Sequence, residues 1–275
     1  MHLKLACCAL LLLPASAFAA PQCKHSQPKA LDLDLAGAKA VVFEVNSHDL
    51  HLTATPGAPA HLSGRACAST TDLLAKLTVS QQRVGDKLVV QLKRESKGLS
   101  LDFGSSYAYL DISGTLPDTI LVQLKVGSGD ATLAGAGSMS ADVGSGDVTA
   151  RNIKGPVTAA VGSGDIDFTD IGPLHVLSIG SGDVKVDGVR GAAKIGSVGS
   201  GDLKLRNVQG DVAIDSLGSG DIEVATVRGN VTLGSIGSGD FDVRNAGGNL
   251  TVGRSGSGSI RHAGVGGTVE LPRKR

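Results

Sequence analysis

The chain has 275 residues, and its 26 lysines and arginines are balanced by 26 aspartates and glutamates, so the formal net charge is zero. Nucleic-acid-binding proteins normally carry a basic balance or a basic stripe, and this sequence shows neither. Beyond residue 19, no segment has the run of about 18 apolar residues that a membrane-spanning helix needs. We therefore expect no nucleic-acid partner and no transmembrane segment in the mature chain.

The first 19 residues have the pattern of an export signal. Lys4 is the only charge, Leu5–Leu13 is apolar, and Ala17-Phe18-Ala19 is a small-x-small cleavage site. We predict a signal peptide at residues 1–19 that is cleaved after Ala19. The mature protein is then exported, either to the periplasm or to the cell surface in association with the outer membrane.

Two of the four cysteines, Cys7 and Cys8, belong to the predicted signal peptide. The two that remain in the mature chain are Cys23 and Cys67. In an exported protein, two cysteines suggest one disulfide, so we predict a Cys23–Cys67 bond. The alternative is two unpaired thiols, because pairing requires Cα atoms within roughly 7 Å of each other.

Residues 20–117 form an irregular, β-rich region. Strand-like runs occur at Ala40–Val45, Lys87–Leu92 and Ala108–Ile112. We interpret this region as degenerate coils and hairpins that cap a repetitive domain, because stacked repeats need atypical ends to protect their edges. A separate N-terminal domain is the alternative.

Residues 118–275 contain a tandem repeat. The segment Gly-Ser-Gly-Asp recurs with its aspartate at positions 130, 147, 165, 183, 202, 221 and 240, and Ser259 takes the same place in a last, altered copy. The apolar residues after Asp183, Asp202 and Asp221 all lie at offsets +1, +3, +6, +10, +12 and +15. Apolar residues two positions apart indicate strands, because side chains alternate across a strand. The glycines between successive strands indicate tight turns.

A fixed offset in every unit predicts stacked coils, because each strand of a parallel β-solenoid pairs with its equivalent about 4.8 Å away. The six apolar offsets then become six inward ladders. We predict an all-β protein, a parallel β-solenoid with 17–19-residue coils. The tail Gly264–Leu271 could cover its far end.

The Gly-Ser-Gly-Asp segments are predicted corners of the coils. We expect their glycines to adopt positive φ and their aspartates to accept amide hydrogen bonds within the same corner. The predicted turn glycines are Gly127, Gly129, Gly144, Gly146, Gly162, Gly164, Gly180, Gly182, Gly199, Gly201, Gly218, Gly220, Gly237 and Gly239.

These repeated segments, with the lead-in Leu116-Pro117 and Leu121–Val126, resemble the auto-transporter adhesin head (GIN) domain family of exported bacterial proteins. The resemblance extends from about Leu116 to Ile260. It implies a right-handed parallel β-helix, to which our interpretation of residues 20–117 adds the irregular N-terminal cap. The family offers no agreed catalytic residues, so the resemblance assigns none here.

The repeated aspartates are also candidate metal ligands. Carboxylates about 4.8 Å apart repel by roughly 1 kcal/mol per neighbouring pair even in water, so the row needs compensation. We prefer amide hydrogen bonds and solvation, and calcium is the alternative, because Ca²⁺ binds six to eight oxygens. The known calcium-binding solenoid repeat has nine residues, so we expect no cofactor. The candidate calcium ligands are Asp130, Asp147, Asp165, Asp183, Asp202, Asp221 and Asp240.

A second possible metal site is the group His48, Asp49, His51 and His61. On a strand, His48 and His51 would point to opposite faces, which disfavours a shared ion. Ice binding is disfavoured for a different reason. Offset +2 carries a mixture of charged residues after its first two threonines, whereas ice-binding solenoids present flat threonine arrays.

From these features we predict a non-catalytic, exported structural or adhesin-like protein whose partner is an envelope or surface protein or a glycan. One alternative is a periplasmic binding module or envelope accessory protein. Another is a polysaccharide-active β-helix enzyme. The short units leave no room for the long loops of such an enzyme, and sugar-stacking aromatic residues are scarce.

Overall fold

The computed structural model describes residues 23–95 and 106–273. The predicted signal peptide lies outside this range. The described chain contains 24 strands and one short helix. In chain order they are β1 (His25–Asp32), β2 (Ala40–Asn46), β3 (Asp49–Thr55), β4 (His61–Ala68), α1 (Thr71–Ala75), β5 (Leu77–Val84), β6 (Lys87–Arg94), β7 (Ala108–Pro117), β8 (Leu121–Val126), β9 (Asp130–Ala134), β10 (Ser138–Val143), β11 (Asp147–Ile153), β12 (Val157–Val161), β13 (Asp165–Ile171), β14 (Leu174–Ile179), β15 (Val184–Val189), β16 (Ala193–Val198), β17 (Leu203–Val208), β18 (Val212–Leu217), β19 (Ile222–Val227), β20 (Val231–Ile236), β21 (Asp240–Ala246), β22 (Leu250–Ser255), β23 (Ser259–Ala263) and β24 (Val269–Glu270).

The strands form two sheets that face each other across one apolar core. The first sheet has the order β1-β4-β7-β3, followed by the odd-numbered strands β9 to β23. The second has the order β5-β6-β2, followed by the even-numbered strands β8 to β24. Each coil contributes one strand to each sheet, so the predicted parallel β-solenoid is confirmed, with two strands per coil.

Equivalent residues of neighbouring coils pair in register. In β17 and β19, Leu203 lies opposite Ile222 and Leu205 opposite Val224. The predicted inward offsets after Asp183, Asp202 and Asp221 are all buried: for example, Val224, Val227 and Leu233 are 0%, 3% and 0% exposed. Burial of such apolar side chains contributes about 25 cal/mol per Å² of surface removed from water, and the ladders make this core continuous from coil to coil.

The step of three between offsets +3 and +6 has a backbone cause. At offset +5, every coil from Asp130 to Ser259 has a residue with φ between 53° and 85°. This left-handed residue interrupts the alternation of the first-sheet strand, so the side chain at +6 turns inward. The positions are Gly135, Asn152, Asp170, Gly188, Asn207, Thr226, Asn245 and Gly264. Six of the eight are Gly or Asn, the residues that tolerate this region best.

The lengthening of the repeat originates partly in one bulge. The register between β12 and β14 shifts after Ala159, so that Ala160 pairs with Ser178 and Leu177 is extra. Leu177 is 52% exposed. Later coils keep the extra residue, and Gly196 is so close above Leu177 that a Cβ on it would lie 2.1 Å from the Leu177 carbonyl oxygen.

The N-terminal coils are stacked out of chain order. The coil formed by β2 and β3 pairs with β8 and β9 on one side and with β6 and β7 on the other. The later segment β6–β7, which we call the outer coil, therefore lies at the end of the stack. Antiparallel β1 and β4 complete the first sheet there, and antiparallel β5 completes the second. The buried core runs through this region and the regular coils without a break.

The C-terminal tail continues the coil pattern. β23 pairs with β21 in the first sheet, and β24 pairs with β22 in the second, where Val269 lies opposite Leu250. Among the described residues there is no helix whose length and apolar character would let it cross a membrane.

Candidate functional site

The aspartates of the Gly-Ser-Gly-Asp segments form one row along an edge of the first sheet. Asp130 lies beside Asp147 and Asp147 beside Asp165 on adjacent strands, and the remaining four follow in the same slot. Two further carboxylates extend the row, because Asp49 pairs with both Asp130 and Asp111. The sequence signals Asp49 through Ser47-His48-Asp49, which occupies the Ser-Gly-Asp register. It gives no signal for Asp111, since that strand is stacked out of chain order.

Six of the seven aspartates, from Asp147 to Asp240, are bonded to the next coil. The Oδ1 atom of each of the six accepts a hydrogen bond from the backbone N–H one coil further along. The N–Oδ1 distances are 3.1 Å (Asp165 to Asp147), 3.0 Å (Asp183 to Asp165), 3.2 Å (Asp202 to Asp183), 2.9 Å (Asp221 to Asp202), 3.0 Å (Asp240 to Asp221) and 3.4 Å (Ser259 to Asp240). We expected these bonds within one corner. The structure places them between corners, where they offset the repulsion along the row and tie the coils together.

The two ends of the row differ in their electrostatics. Burial raises the pKa of Asp49, and the neighbouring carboxylates Asp130 and Asp111 raise it further. At the other end, the Arg261 guanidinium donates a hydrogen bond that lowers the pKa of Asp240. The row is therefore least tolerant of negative charge where it enters the N-terminal coils.

The expectation that the corner glycines adopt positive φ is wrong. None of the fourteen predicted turn glycines has a φ in the left-handed region. The second glycine of each segment is instead pressed against the backbone of the preceding coil. A Cβ on Gly201 would lie 1.9 Å from the Gly182 carbonyl oxygen, and one on Gly220 would lie 1.9 Å from that of Gly201. The residue at this corner must lack a side chain because adjacent coils approach too closely to hold one.

The outer face of the first sheet, from offset 0 to offset +4, is grooved and charged. One concavity on it has a volume of about 290 Å³ and is lined by Asp202, Lys204, Asp221, Glu223, Asp242 and Arg261 among others. Ion pairs cross this face: Arg206 contacts Glu223 at 3.0 Å. Arg244 donates two hydrogen bonds to Asp242, which raise the pKa of its guanidinium.

Three more concavities lie on this same face. Two are lined by aspartates and by Lys185. The third is lined by polar and basic side chains, including Thr132, Thr149 and Arg151, and no carboxylate lines it. The outer face of the second sheet is different, since small residues such as Ser197, Ser216 and Ser235 follow one another there. The first-sheet face, which we call the charged face, is thus the candidate binding surface.

The predicted group of histidines is dispersed. His48 is buried, with 1% of its surface exposed. His51 is exposed and lies 3.0 Å from the Thr132 hydroxyl, and the His61 ring contacts the Asp32 carboxylate at 2.6 Å. In residues 23–95 and 106–273 no three His, Cys, Asp or Glu side chains are arranged to hold a metal ion. Calcium binding by the aspartate row stays a hypothesis.

Cys23 and Cys67 form a disulfide whose Cα atoms are 5.5 Å apart. The bond links the segment before β1 to β4, and β1 pairs antiparallel with β4 along its whole length. The Tyr109 hydroxyl lies 3.8 Å from the Cys23 sulfur. The disulfide therefore holds the outermost strand of the first sheet in place.

Comparison with known proteins identifies the family. The model of the family described as Toastrack DUF4097 matches residues 38–245. The chain belongs to this family. The match begins in the irregular region and ends in β21, so the N-terminal coils and the regular coils both fall within the family's domain. No curated protein matches the chain.

Solved structures share the fold at low sequence identity. A "putative lipid binding protein" from Parabacteroides distasonis is 22% identical, with a TM-score of 0.58, over 87% of this chain and 97% of that one. A "putative adhesin" from Bacteroides fragilis is 16% identical, with a TM-score of 0.49, over 90% of this chain and 97% of that one. The first of these similarities supports the Toastrack fold for nearly the whole described chain.

Proposed function

We propose that this Toastrack protein is an exported, non-catalytic binding protein that presents the charged face to an envelope or surface partner. The observation that carries the proposal is the contrast between the two outer faces. The charged face is grooved, and it alternates acidic and basic residues over many coils. On the second-sheet face, small side chains follow one another in the coils of β16 to β20, and a charged concavity lined by Glu44, Lys125 and Asp142 lies further toward the N-terminal coils.

The rigidity of the scaffold supports a binding role. Backbone pairing, the apolar ladders and the carboxylate-to-amide bonds fix the spacing of the exposed side chains from coil to coil. A preorganised surface loses little conformational entropy when it binds a partner. The grooves are shallow, open and polar, which suits contact with a polar macromolecule or a glycan.

An enzymatic role has less support. In the groove lined by Asp202 and Asp242, the carboxylates are occupied by backbone amides or arginines. A general acid–base pair needs carboxyl groups that are free to exchange protons with a substrate. We therefore propose that the protein has no catalytic activity and no cofactor.

The adhesin-like role is the finer part of the proposal. Its support is the likeness of the Gly-Ser-Gly-Asp segments to the auto-transporter adhesin head (GIN) domain family. The name of the Bacteroides fragilis structure points the same way, and the Parabacteroides distasonis name suggests lipid instead. Apolar ladders fill the space between the sheets here, so a lipid would have to bind outside the core.

Location is the first test. Intact producing cells are treated with protease, and peptides of this chain are sought by mass spectrometry, with a periplasmic protein as the leakage control. We expect peptides from the intact cells. Release only after the outer membrane is opened would contradict direct adhesion and would favour the periplasmic alternative.

The binding face is tested with matched charge reversals. Purified mature protein is applied to a printed glycan array and to purified envelope fractions. Lys204→Glu changes the charged face, and Lys194→Glu makes the same change on the second-sheet face; both lysines are exposed. We expect the first variant to lose binding and the second to keep it. Equal binding by both variants would overturn the assignment of the face.

A further inference from the structure

His48 occupies a unique place in the corners of the solenoid. His48 occupies the position that the second glycine has in the repeated segment. A Cβ on Gly129 of the next coil would lie 2.0 Å from the carbonyl oxygen of His48. Its imidazole is nearly fully buried, whereas no other histidine among the described residues is. The side chain lies between the coil of β2 and β3 and the outer coil of β6 and β7.

The hydrogen bonds of His48 define its protonation state. Nδ1 accepts a hydrogen bond from the backbone N–H of Leu110 in β7, at 3.3 Å. Nδ1 must therefore carry a lone pair, and the proton of the neutral ring is on Nε2. Nε2 is buried, and no described residue accepts its proton. A second proton could be added only at Nδ1, where it would face the Leu110 N–H.

The surroundings of the ring disfavour a cation. Burial lowers the pKa of His48 from its usual 6.5 to about 4, and the Arg94 guanidinium at the end of β6 adds to this effect. Other charged groups near this corner are Asp49, the next residue and the first of β3, Asp130 on β9, and Asp111, which pairs with Arg65 at 3.4 Å. None of these carboxylates accepts a hydrogen bond from the imidazole.

We propose that His48 is an acid-sensitive latch: its protonation breaks the contact with Leu110 and releases the outer coil, with the antiparallel strands attached to it, from the coil of β2 and β3. Opening exposes the backbone edges of β2 and β3, which can then pair with another strand. Mildly acidic solution thus raises the fraction of molecules whose end is open to pairing with another strand. This inference is independent of the function proposed above.

The direction of the pH effect follows from linkage. Because the closed state has the lower pKa, the open state binds the proton more tightly. The closed state is therefore fully favoured above pH 6.5 and loses stability as the pH falls toward 4. The opening constant rises about tenfold per pH unit within this window, or roughly 20-fold between pH 7 and pH 5.

Native-state hydrogen exchange of the whole mature protein tests the latch. We expect the protection factor of the Leu110 amide to fall about 20-fold between pH 7 and pH 5, and those of Leu205 and Val224 in the middle coils to stay unchanged. His48→Gln keeps a side-chain acceptor for Leu110 but does not titrate, so its Leu110 protection should be independent of pH. His51→Gln is the matched control, since His51 lies three residues further along, in β3, and is exposed.

Three results would overturn the proposal. The first is a protection factor of the Leu110 amide that does not change with pH in the unaltered protein. The second is a pH-dependent Leu110 protection factor that persists in His48→Gln. The third is an equal loss of protection at Leu205 and Val224, which would mean global unfolding. If His48→Gln does not fold, His48→Gly places the residue of the other corners in this slot and is expected to give the same pH-independent protection.

Discussion

The backbone amide of Asp221 donates a hydrogen bond to Oδ1 of Asp202, and the two atoms are 2.9 Å apart. Asp202 donates in the same way to Asp183, so the carboxylates from Asp147 to Asp240 each link two coils. A second corner repeats the arrangement without the negative charge, since Asn249 donates its amide to Oδ1 of Asn230 at 2.9 Å. An uncharged side-chain oxygen can therefore make the same contact between coils as a carboxylate.

Replacement of Asp202 separates the contribution of the oxygen acceptor from that of the charge. Asp202→Ala removes the acceptor for the Asp221 amide and should lower the free energy of unfolding by about 1 kcal/mol. Asp202→Asn keeps the acceptor and removes two carboxylate repulsions, so it should be neutral or stabilising. Urea denaturation of both variants measures the difference. Equal destabilisation by Ala and Asn would show that charge is what matters at this corner.

Gly201 tests why the corner excludes side chains. A Cβ would collide with the Gly182 carbonyl oxygen, which cannot move without disturbing both coils. Gly201→Ala should cost about 2–4 kcal/mol of unfolding free energy. Gly201→Asn should cost at least as much, although Asn tolerates positive φ. Ser200→Ala is the neighbouring control and should change stability little. Tolerance of Asn at Gly201 would restore the positive-φ explanation.

Thr226 is the one β-branched residue at offset +5, with a φ of 59°. Branched side chains are strained in this region, and asparagine is far better tolerated. We expect Thr226→Asn to raise the free energy of unfolding by about 1 kcal/mol, as measured by thermal or urea denaturation. Thr232→Asn, on the exposed face of β20, should bring no gain. Loss of stability in Thr226→Asn would mean that the left-handed conformation is not the source of strain.

The disulfide closes a loop with a sequence separation of 44 residues. Loop-closure entropy predicts that its removal costs about 4 kcal/mol. We expect this loss in the double variant Cys23→Ala/Cys67→Ala, measured by urea denaturation. A reducing agent should destabilise the unaltered protein by a similar amount and leave the double variant unaffected. An effect of the reducing agent on both proteins would exclude this bond as its cause.

Calcium is tested by melting the protein in excess Ca²⁺ and in a chelator. One oxygen of each carboxylate from Asp147 to Asp221 accepts a backbone amide, which leaves one oxygen of each for a cation, and both oxygens of Asp240 are hydrogen-bonded. We expect melting temperatures that agree within about 1 °C. A rise of several degrees in Ca²⁺, absent in a variant with Asp165 and Asp183 both changed to Asn, would establish a calcium site.

The sequence by itself predicts the regular part of the solenoid because apolar side chains recur at fixed offsets. A ladder forms only if Ile222, Val224 and Leu233 stack on their equivalents, and stacking requires the same offset in every coil. The repeat also places the aspartate row, and Ser47-His48-Asp49 extends that row into the N-terminal region. The right-handed winding remains an expectation of the family resemblance.

Only the tertiary structure decides the features that depend on contact between coils. The partner of each carboxylate is an amide 18 or 19 residues away, so no local pattern identifies it. The corner glycines look like positive-φ turns in sequence, but they are required by the approach of Gly201 to Gly182. The position of the outer coil and the burial of His48 come from pairing out of chain order. Local sequence determines the strands and turns of each coil, and the close packing of adjacent coils determines which residues the corners can hold.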